Sequence, residues 1–323
     1  MQYAHLGRTG LLVSRVCLGT VNFGPRVEEP DAHRLMDEAL DHGINFFDTA
    51  NSYGGAETKG RTEEIIGAWL SHGGGRRERT VLATKAYEAT GDWTNEGGLS
   101  ALNIRRALDA SLRRLRTDYV DLYQFHHVDR DTPWDEIWEA VGVAVAQGKI
   151  LYAGSSNFAG WHIAKAQEAA IRHHLFGLVS EQSIYNLLRR EVEIEVLPAA
   201  RAYGLGLLAW SPLHEGVLGG MAGAGRAGAR RREGRAVEAA ATHYDQLVRY
   251  EALAAEIGYE PGEVALAWLL HQPGVTAPII GPRHEEQLAS ALRATAVTLD
   301  HETLSRLDDI FPGYPPAPED YAW

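Results

Sequence analysis

Asp48, Tyr53, Lys85 and His126 are side chains that, brought together, can reduce a carbonyl, and each falls at or just past the end of a short apolar run. Asp48 ends Ile44-Asn45-Phe46-Phe47-Asp48, Lys85 ends Thr80-Val81-Leu82-Ala83-Thr84-Lys85, and His126 ends Tyr119-Val120-Asp121-Leu122-Tyr123-Gln124-Phe125-His126. Reducing an aldehyde or ketone takes a hydride to carbon and a proton to the developing alkoxide. A tyrosine can give that proton, but its ordinary pKa of about 10 is high for transfer at neutral pH, and a nearby ammonium lowers it by favouring the phenolate. Tyr53 is the candidate acid and Lys85 the candidate ammonium. Asp48 can pair with Lys85, and His126 can orient the carbonyl or share the proton. Alone, a lysine or aspartate ending a strand reads as a surface charge, and a single histidine as an ordinary imidazole. Their recurrence at successive strand ends carries the chemical reading.

Such a group needs a scaffold that ends several strands at one place. After a hairpin expected to turn at Gly7-Arg8-Thr9-Gly10, strand-like and helix-like segments alternate at a step of about thirty residues, as βαβ units with a parallel sheet do. Eight strands are expected: Arg15 to Leu18, Ile44 to Phe47, Val81 to Thr84, Val120 to Phe125, Ile150 to Ala153, Leu178 to Ser180, Gly206 to Ala209 and Ala277 to Ile280. Amphipathic stretches between them include Asp31 to Asp41, Thr62 to Leu70, Leu99 to Arg116, Pro133 to Ala146, Trp161 to Arg172 and Val192 to Ala202. Asp31 and Ser100 suit helix N-caps, Thr132-Pro133 suits a cap followed by proline at the first helical position, and Gly43, Gly148 and Gly204 suit helix C-termini. Eight strand–helix repeats predict a single (β/α)8 TIM barrel over residues 1–323, with an N-terminal β-hairpin and an extra C-terminal helix and loop.

An open dinucleotide-binding sheet would carry a glycine fingerprint after its first strand, and Gly19-Thr20-Val21-Asn22-Phe23-Gly24 lacks it. The pattern occurs at Gly223-Ala224-Gly225-Arg226-Ala227-Gly228, but no strand precedes it, so it reads as a loop. His72-Gly73-Gly74-Gly75 is similar to a lipase oxyanion loop, yet the chain has no Gly-x-Ser-x-Gly elbow. A metal site from His126 and His127 is disfavoured, because adjacent strand residues point to opposite faces.

With 45% apolar and 23% charged residues the chain has a globular composition, and no run approaches the roughly 20 apolar residues of a membrane span. A net charge of −12 argues against nucleic acid as a partner, although Arg226, Arg230, Arg231, Arg232 and Arg235 crowd one segment. The single cysteine, Cys17, excludes an internal disulfide and a thiolate metal cluster, and it reads as inert core. With no secretory pattern at the N-terminus, a reducing, cytoplasmic compartment is expected.

The spaced segments together resemble the aldo-keto reductase family over nearly the whole chain, from Leu6-Gly7-Arg8-Thr9-Gly10 and Leu18-Gly19-Thr20 to Gly281-Pro282-Arg283. Asn45 to Gly54 resembles the family's aspartate and tyrosine motif, Ala83-Thr84-Lys85 its lysine strand, and Gln124-Phe125-His126 its histidine strand. The resemblance implies NADPH as cofactor and a small-molecule carbonyl as substrate. It also implies that Ser156, Asn157 and Gln182 hold the nicotinamide carboxamide, which needs both donors and acceptors. Trp210 would stack on the nicotinamide, with Ser211, Pro212, Leu213 and Gly216 near the pyrophosphate. Gly19, Thr20 and Asp48 would line the same site, and Ile280, Gly281, Arg283 and Gln287 would form its adenosine-phosphate end. Ser290 and Ala291 depart from the Glu-Asn pair of many relatives, so adenine recognition must differ.

Within the family the resemblance is to bacterial members that include reductases of nucleotide-linked deoxysugars, and to the potassium-channel β subunits. Those subunits carry Asn at the position matching His126, so His126 favours catalysis over NADPH sensing. Phe23, Tyr87, Trp93, Tyr314, Tyr321 and Trp323 either line a substrate pocket or plug the helices. Neither the carbonyl substrate nor the oligomeric state is legible in the sequence.

Overall fold

An antiparallel hairpin, β1 (Tyr3–His5) and β2 (Leu12–Ser14), leads into the barrel of the computed structural model, which describes residues 1–220 and 235–322. The barrel strands are β3 (Cys17–Gly19), β4 (Phe46–Asp48), β5 (Val81–Ala86), β6 (Val120–Phe125), β7 (Ile150–Ser156), β8 (Leu178–Ile184), β9 (Gly206–Trp210) and β10 (Val275–Ile280). They pair in parallel in chain order, and β10 closes the ring against β3. Helices α1 (Glu29–Asp41), α2 (Arg61–Ser71), α3 (Ala101–Leu115), α4 (Trp134–Ala146), α5 (Gly160–Arg172) and α6 (Val196–Tyr203) connect β3 through β9. After β9 come α7 (Arg235–Thr242), α8 (Tyr244–Glu256) and α9 (Pro261–His271). After β10 come α10 (Glu285–Ala294), α11 (His301–Ile310) and α12 (Glu319–Ala322). The glycine-patterned segment 223–228, Arg226, Arg230, Arg231 and Arg232, the Arg235 side chain and Trp323 lie outside the described residues.

The two-residue period of each strand sorts side chains into two cores. Phe46, Ala83, Leu122 and Leu208 fill the barrel together with buried Cys17, while Phe47, Leu82, Tyr123 and Phe125 face outward onto Leu35, Trp69, Ile104, Trp138 and Ile163 of the helices. Leu6 and Val13 of the hairpin belong to the inner core and stop the N-terminal end of the barrel. Arg8 locks the plug by donating to the carbonyls of Leu178 at 3.1 Å, Tyr203 at 2.8 Å and Phe176. The open end is therefore the one where the strands stop.

Several expected boundaries move for local reasons. Helix α1 starts before Asp31, with Glu28 as N-cap and Pro30 in the first turn, because proline's fixed φ suits that turn; Asp31 pairs with Arg34 instead. Pro133 is the N-cap of α4, and Thr132 donates its hydroxyl to Asp129 at 2.9 Å. The expected helix from Val192 breaks into a 3-10 turn, Glu191–Glu193, followed by α6. Strand β3 begins at Cys17, since the Arg15 backbone still belongs to the hairpin, its N–H donating to the Gln2 carbonyl at 3.0 Å. Ser100 does cap α3, accepting from Asn103 N–H at 3.3 Å, and Gly43, Gly148 and Gly204 take φ of +83°, +70° and +69° at helix ends.

Gly67 sets the contact of α2 with the end of α3. A Cβ there would lie 2.0 Å from the Arg114 carbonyl oxygen, a backbone atom that cannot swing away. Gly67→Ala should therefore destabilise the protein by about 2 kcal/mol, although alanine is the better helix former. A urea midpoint unchanged or raised in the variant would contradict this contact.

One irregularity matters for the site. Between β7 and β8 the pairing runs Ala153 with Leu178 and then Ser155 with Glu181, so β8 carries one extra residue. Val179 packs in the inner core, and Ser180 also points inward, since a Cβ on Gly154 would come within 2.5 Å of its hydroxyl. This bulge inverts the alternation beyond it. Gln182 is turned into the barrel and Glu181 out of it.

Candidate active site

Strands β4, β5 and β6 end side by side, and Asp48 and Lys85 on β4 and β5 come together with His126 just past β6 and Tyr53 from the loop after β4. Lys85 is fully buried, and its ammonium donates to Asp48 Oδ2 at 2.5 Å, the Thr49 carbonyl at 2.9 Å and Tyr53 Oη at 3.3 Å. Asp48 Oδ1 accepts from Gln124 Nε2 and Gln182 Nε2, both at 2.9 Å. The His126 ring stands edge-on to Tyr53, with centroids 5.8 Å apart. The four residues singled out for chemistry thus form one group. Two amides complete the shell of the aspartate, and this satisfaction is what makes a buried ion pair tolerable.

Burial dominates the electrostatics of the group. It pushes the Lys85 ammonium down, but Asp48 first and Tyr53 second outweigh it, so the pKa ends above its ordinary value and the charge is held. For Tyr53, burial raises the pKa and Lys85 is the strongest opposing influence. The phenol ends above its ordinary value rather than below it. Lys85 tempers the acid without ionising it, and Tyr53 keeps its proton at neutral pH. The His126 imidazole is pushed down to about 3, by burial first and then by Lys85 and His127, so the ring is neutral. A neutral ring can donate one hydrogen bond to a carbonyl oxygen, which fits orientation of the substrate better than a shared proton.

This neutrality has a measurable sign. Folded His126 binds fewer protons than the unfolded chain below pH 6.5, so its contribution to stability is complete above 6.5 and shrinks as pH falls toward about 3. His126→Asn should flatten that share of the acid loss, seen by comparing denaturant midpoints at pH 5 and 7.5. An identical drop in both proteins would refute the burial argument.

The residues assigned to cofactor occupy the ends of β7 through β10 and β3. Ser156 Oγ and Asn157 N–H donate to the Gln182 carbonyl at 2.8 and 3.0 Å. Asn157 is exposed and left-handed at φ +60°; its amide donates to the His126 carbonyl at 3.1 Å and accepts from Trp210 Nε1 at 3.0 Å. Trp210 is half-buried at the end of β9. Ser211, His214, Glu215 and Gly216 all have positive φ, which bends the chain sharply after β9, with Pro212 buried and Leu213 half-buried between them. Gly19 is closed in by Ile279 and Ile280, and Thr20 spends its hydroxyl on the Asp48 carbonyl at 2.9 Å. Past Ile280, Gly281 is exposed and Arg283 N–H donates to Gln287 Oε1 at 2.8 Å.

The arrangement fits a nicotinamide dinucleotide in two respects. Trp210 offers a flat face beside a polar amide, and the Arg283 guanidinium makes no hydrogen bond or ion pair among the described residues, near the N-terminus of α10. Gln182 fits less simply. Its Nε2 is engaged with Asp48 and with Gln124 Oε1 at 3.1 Å, so only its carbonyl oxygen is left to meet a ligand.

Sequence reasoning passed over Gln124 and Glu181. Gln124 had a signal, since it lies two residues before His126 and must share its inward face. Glu181 had none, because the bulge that places it depends on pairing with β7. Of the aromatic residues, Phe23 is wholly buried in the outer core, whereas Trp93 and Tyr321 are 81% and 72% exposed. Tyr87 packs partly on the core beside His127, and Tyr314 is exposed.

The chain has clear relatives. The sequence model of the Aldo/keto reductase family matches residues 15–311. "Uncharacterized oxidoreductase YrpG" of Bacillus subtilis (strain 168) is 54% identical over 329 residues, covering 100% of both chains. "Probable voltage-gated potassium channel subunit beta" of Oryza sativa subsp. japonica is 35% identical over 332 residues, covering 99% of this chain and 100% of that protein. "Versiconal hemiacetal acetate reductase" of Aspergillus parasiticus is 33% identical over 338 residues, covering 96% of each.

Proposed function

Since this chain belongs to the aldo/keto reductase family, an oxidoreductase family that uses nicotinamide cofactors and acts on small carbonyls, we propose that it reduces an aldehyde or ketone to the alcohol with NADPH. The observation that carries this reading is the Tyr53 hydroxyl, 3.3 Å from an ammonium that Asp48 holds charged. Bound NADPH supplies the hydride. The protein's own residues do the rest. Tyr53 gives its proton to the oxygen of the substrate as negative charge develops there, and the Lys85 ammonium steadies the phenolate left behind. Neutral His126 donates to the same oxygen and fixes the face that is reduced. Ser156, Asn157 and Gln182 would hold the carboxamide, and Trp210 would face the ring.

Preference for NADPH over NADH is supported by the Arg283 guanidinium, unpaired among the described residues, although Glu285 and Glu286 share the first turn of α10 and oppose an anion there. Arg283→Ala should weaken NADPH binding by roughly tenfold, the loss of one charge-assisted contact, and leave NADH binding unchanged. An equal effect on both cofactors would remove Arg283 from the 2′-phosphate site.

A keto-sugar or nucleotide-linked deoxysugar is the finer substrate class we favour. The relative named for a hemiacetal acetate is consistent with bulky oxygen-rich carbonyls. Relatives named as potassium-channel β subunits suggest a sensing role as the second reading. The neutral His126 beside Tyr53 favours turnover. The test is NADPH consumption against aldehydes, ketones, quinones and keto-sugar nucleotides, with isolation of the alcohol. Binding of NADPH with a single slow turnover and no steady state on any carbonyl would support sensing and defeat the reductase.

A further inference from the structure

The carboxylate of Glu181 plays no part in the chemistry above, yet it is fully buried directly behind the residues that face the cofactor. The bulge in β8 turns it away from the barrel and under the turn that joins β7 to α5. There Oε1 accepts from Phe158 N–H at 3.1 Å and from Ser183 Oγ at 2.7 Å, and Oε2 accepts from Ser155 Oγ at 2.5 Å. Two bonds from one rigid group thus tie residues 155 and 158, which flank Ser156 and the left-handed Asn157, and the third, from Ser183, steadies the carboxylate itself.

We infer that Glu181 is a positioning residue for cofactor binding: its carboxylate clamps the Ser155–Phe158 turn so that the Asn157 amide stands in the barrel mouth between His126 and Trp210. The inference rests on the NADPH reading of Asn157. Its physical basis is the cost of the conformation it maintains. Asparagine tolerates positive φ better than other residues that carry a Cβ, but the left-handed state still costs more than the extended one, so bonds to its neighbours select it. Asn157 is held from the front by His126 and Trp210, which belong to the site itself. Glu181 holds it from behind, through groups that no ligand would displace.

The choice of a charged residue at this place is expensive for the fold, which argues against a purely structural role. Burial pushes the Glu181 carboxyl up to about 7, against the pull of its bonds to Ser155, Ser183 and the Phe158 backbone. The native state therefore binds more protons than the unfolded chain between the ordinary carboxyl value and about 7, and this contribution to stability is lost as pH rises through 7. The groups around it are hydroxyls and peptide N–H groups. On the packed helix the titratable ring is His162, whose Nδ1 accepts from Ala159 N–H and whose own pKa is lowered by burial. A neutral residue of the same shape would make the fold at least as stable at pH 8.

The test compares Glu181→Ala and Glu181→Gln in the full chain, reading NADPH affinity by quenching of tryptophan fluorescence and stability by thermal melting at pH 8. Glu181→Ala is expected to weaken NADPH binding about tenfold, the effect of one or two lost hydrogen bonds on the geometry of Asn157. Glu181→Gln keeps an oxygen for Phe158 N–H and an amide that Ser155 can accept, so it should restore most of the affinity and melt no lower than the wild type. A Glu181→Ala protein that melts lower but binds NADPH like the wild type overturns the inference. Should Glu181→Ala fail to fold, Ser155→Ala combined with Ser183→Ala leaves the carboxylate without two donors. Weaker binding by that variant supports the clamp and unchanged binding overturns it. Absence of NADPH binding by the wild-type chain would bring down the proposed cofactor together with this inference, whereas equal binding by wild type and variants brings down the inference alone.

Discussion

Tyr53→Phe is expected to lower kcat on the order of 10³-fold while NADPH affinity stays within a factor of two, because the substitution deletes one oxygen and the proton it carries. Tyr53 Oη is the hydroxyl in contact with Lys85 Nζ, and His126, pushed down to about 3, is neutral and poorly suited to replace it as an acid. The raised pKa of the phenol adds a condition on pH. Reduction should not decline through the neutral range from ionisation of Tyr53, since the proton is retained there. Single-turnover reduction and cofactor titration of the same preparation check both halves. Turnover in Tyr53→Phe within tenfold of wild type would mean that another group delivers the proton.

Asp48→Asn should damage both the fold and the reaction, and by a larger margin than its size suggests. The wild-type carboxylate accepts from Lys85, Gln124 and Gln182 in a site from which water is excluded. An amide at that position presents N–H groups to donors on one side and leaves the ammonium fully buried without its counter-charge. Removing one partner of a buried pair costs roughly 3 to 5 kcal/mol. Lys85 would relieve part of that cost by losing its proton, because burial already pushes it down and Asp48 is the main influence raising it. The phenolate formed on proton transfer would then lose its stabilising charge. We expect a melting temperature lower by roughly 10 °C and kcat lower on the order of 10²-fold. Chemical denaturation with parallel kinetics would show whether the two losses travel together. A variant as stable as wild type would contradict the buried pair, whatever its activity.

The grouping of the four residues was legible because Asp48, Lys85 and His126 fall at or next to strand ends and Tyr53 follows β4 closely, and at a strand end local sequence pattern reports a global position. The apolar runs before Asp48, Lys85 and His126 mark β4, β5 and β6, and in a parallel barrel those ends must lie on the same rim. Boundaries were less legible where side chains compete locally. Asp31, Thr132 and Val192 each offered a plausible helix start, and Pro30, Pro133 and the 3-10 turn at Glu191–Glu193 settled the matter by backbone geometry. The resemblance to a family supplied the residues proposed for the cofactor, and the hydrogen bonds of Ser156, Asn157 and Trp210 join them to His126 and Gln182.

The amino-acid sequence alone determined the class of fold, the order of its elements and which four side chains are proposed for the chemistry, because period-two patterning, turn residues and residue type are local properties. Tertiary structure alone decided the balance of charge and the direction of individual side chains. Lys85 was expected to lower the Tyr53 pKa, and depth of burial reversed the net direction. Gln182 faces Asp48 and Glu181 turns outward because β8 holds one residue more than β7 can pair. Burial and strand register are sums over distant neighbours, so no single segment of the chain contains them.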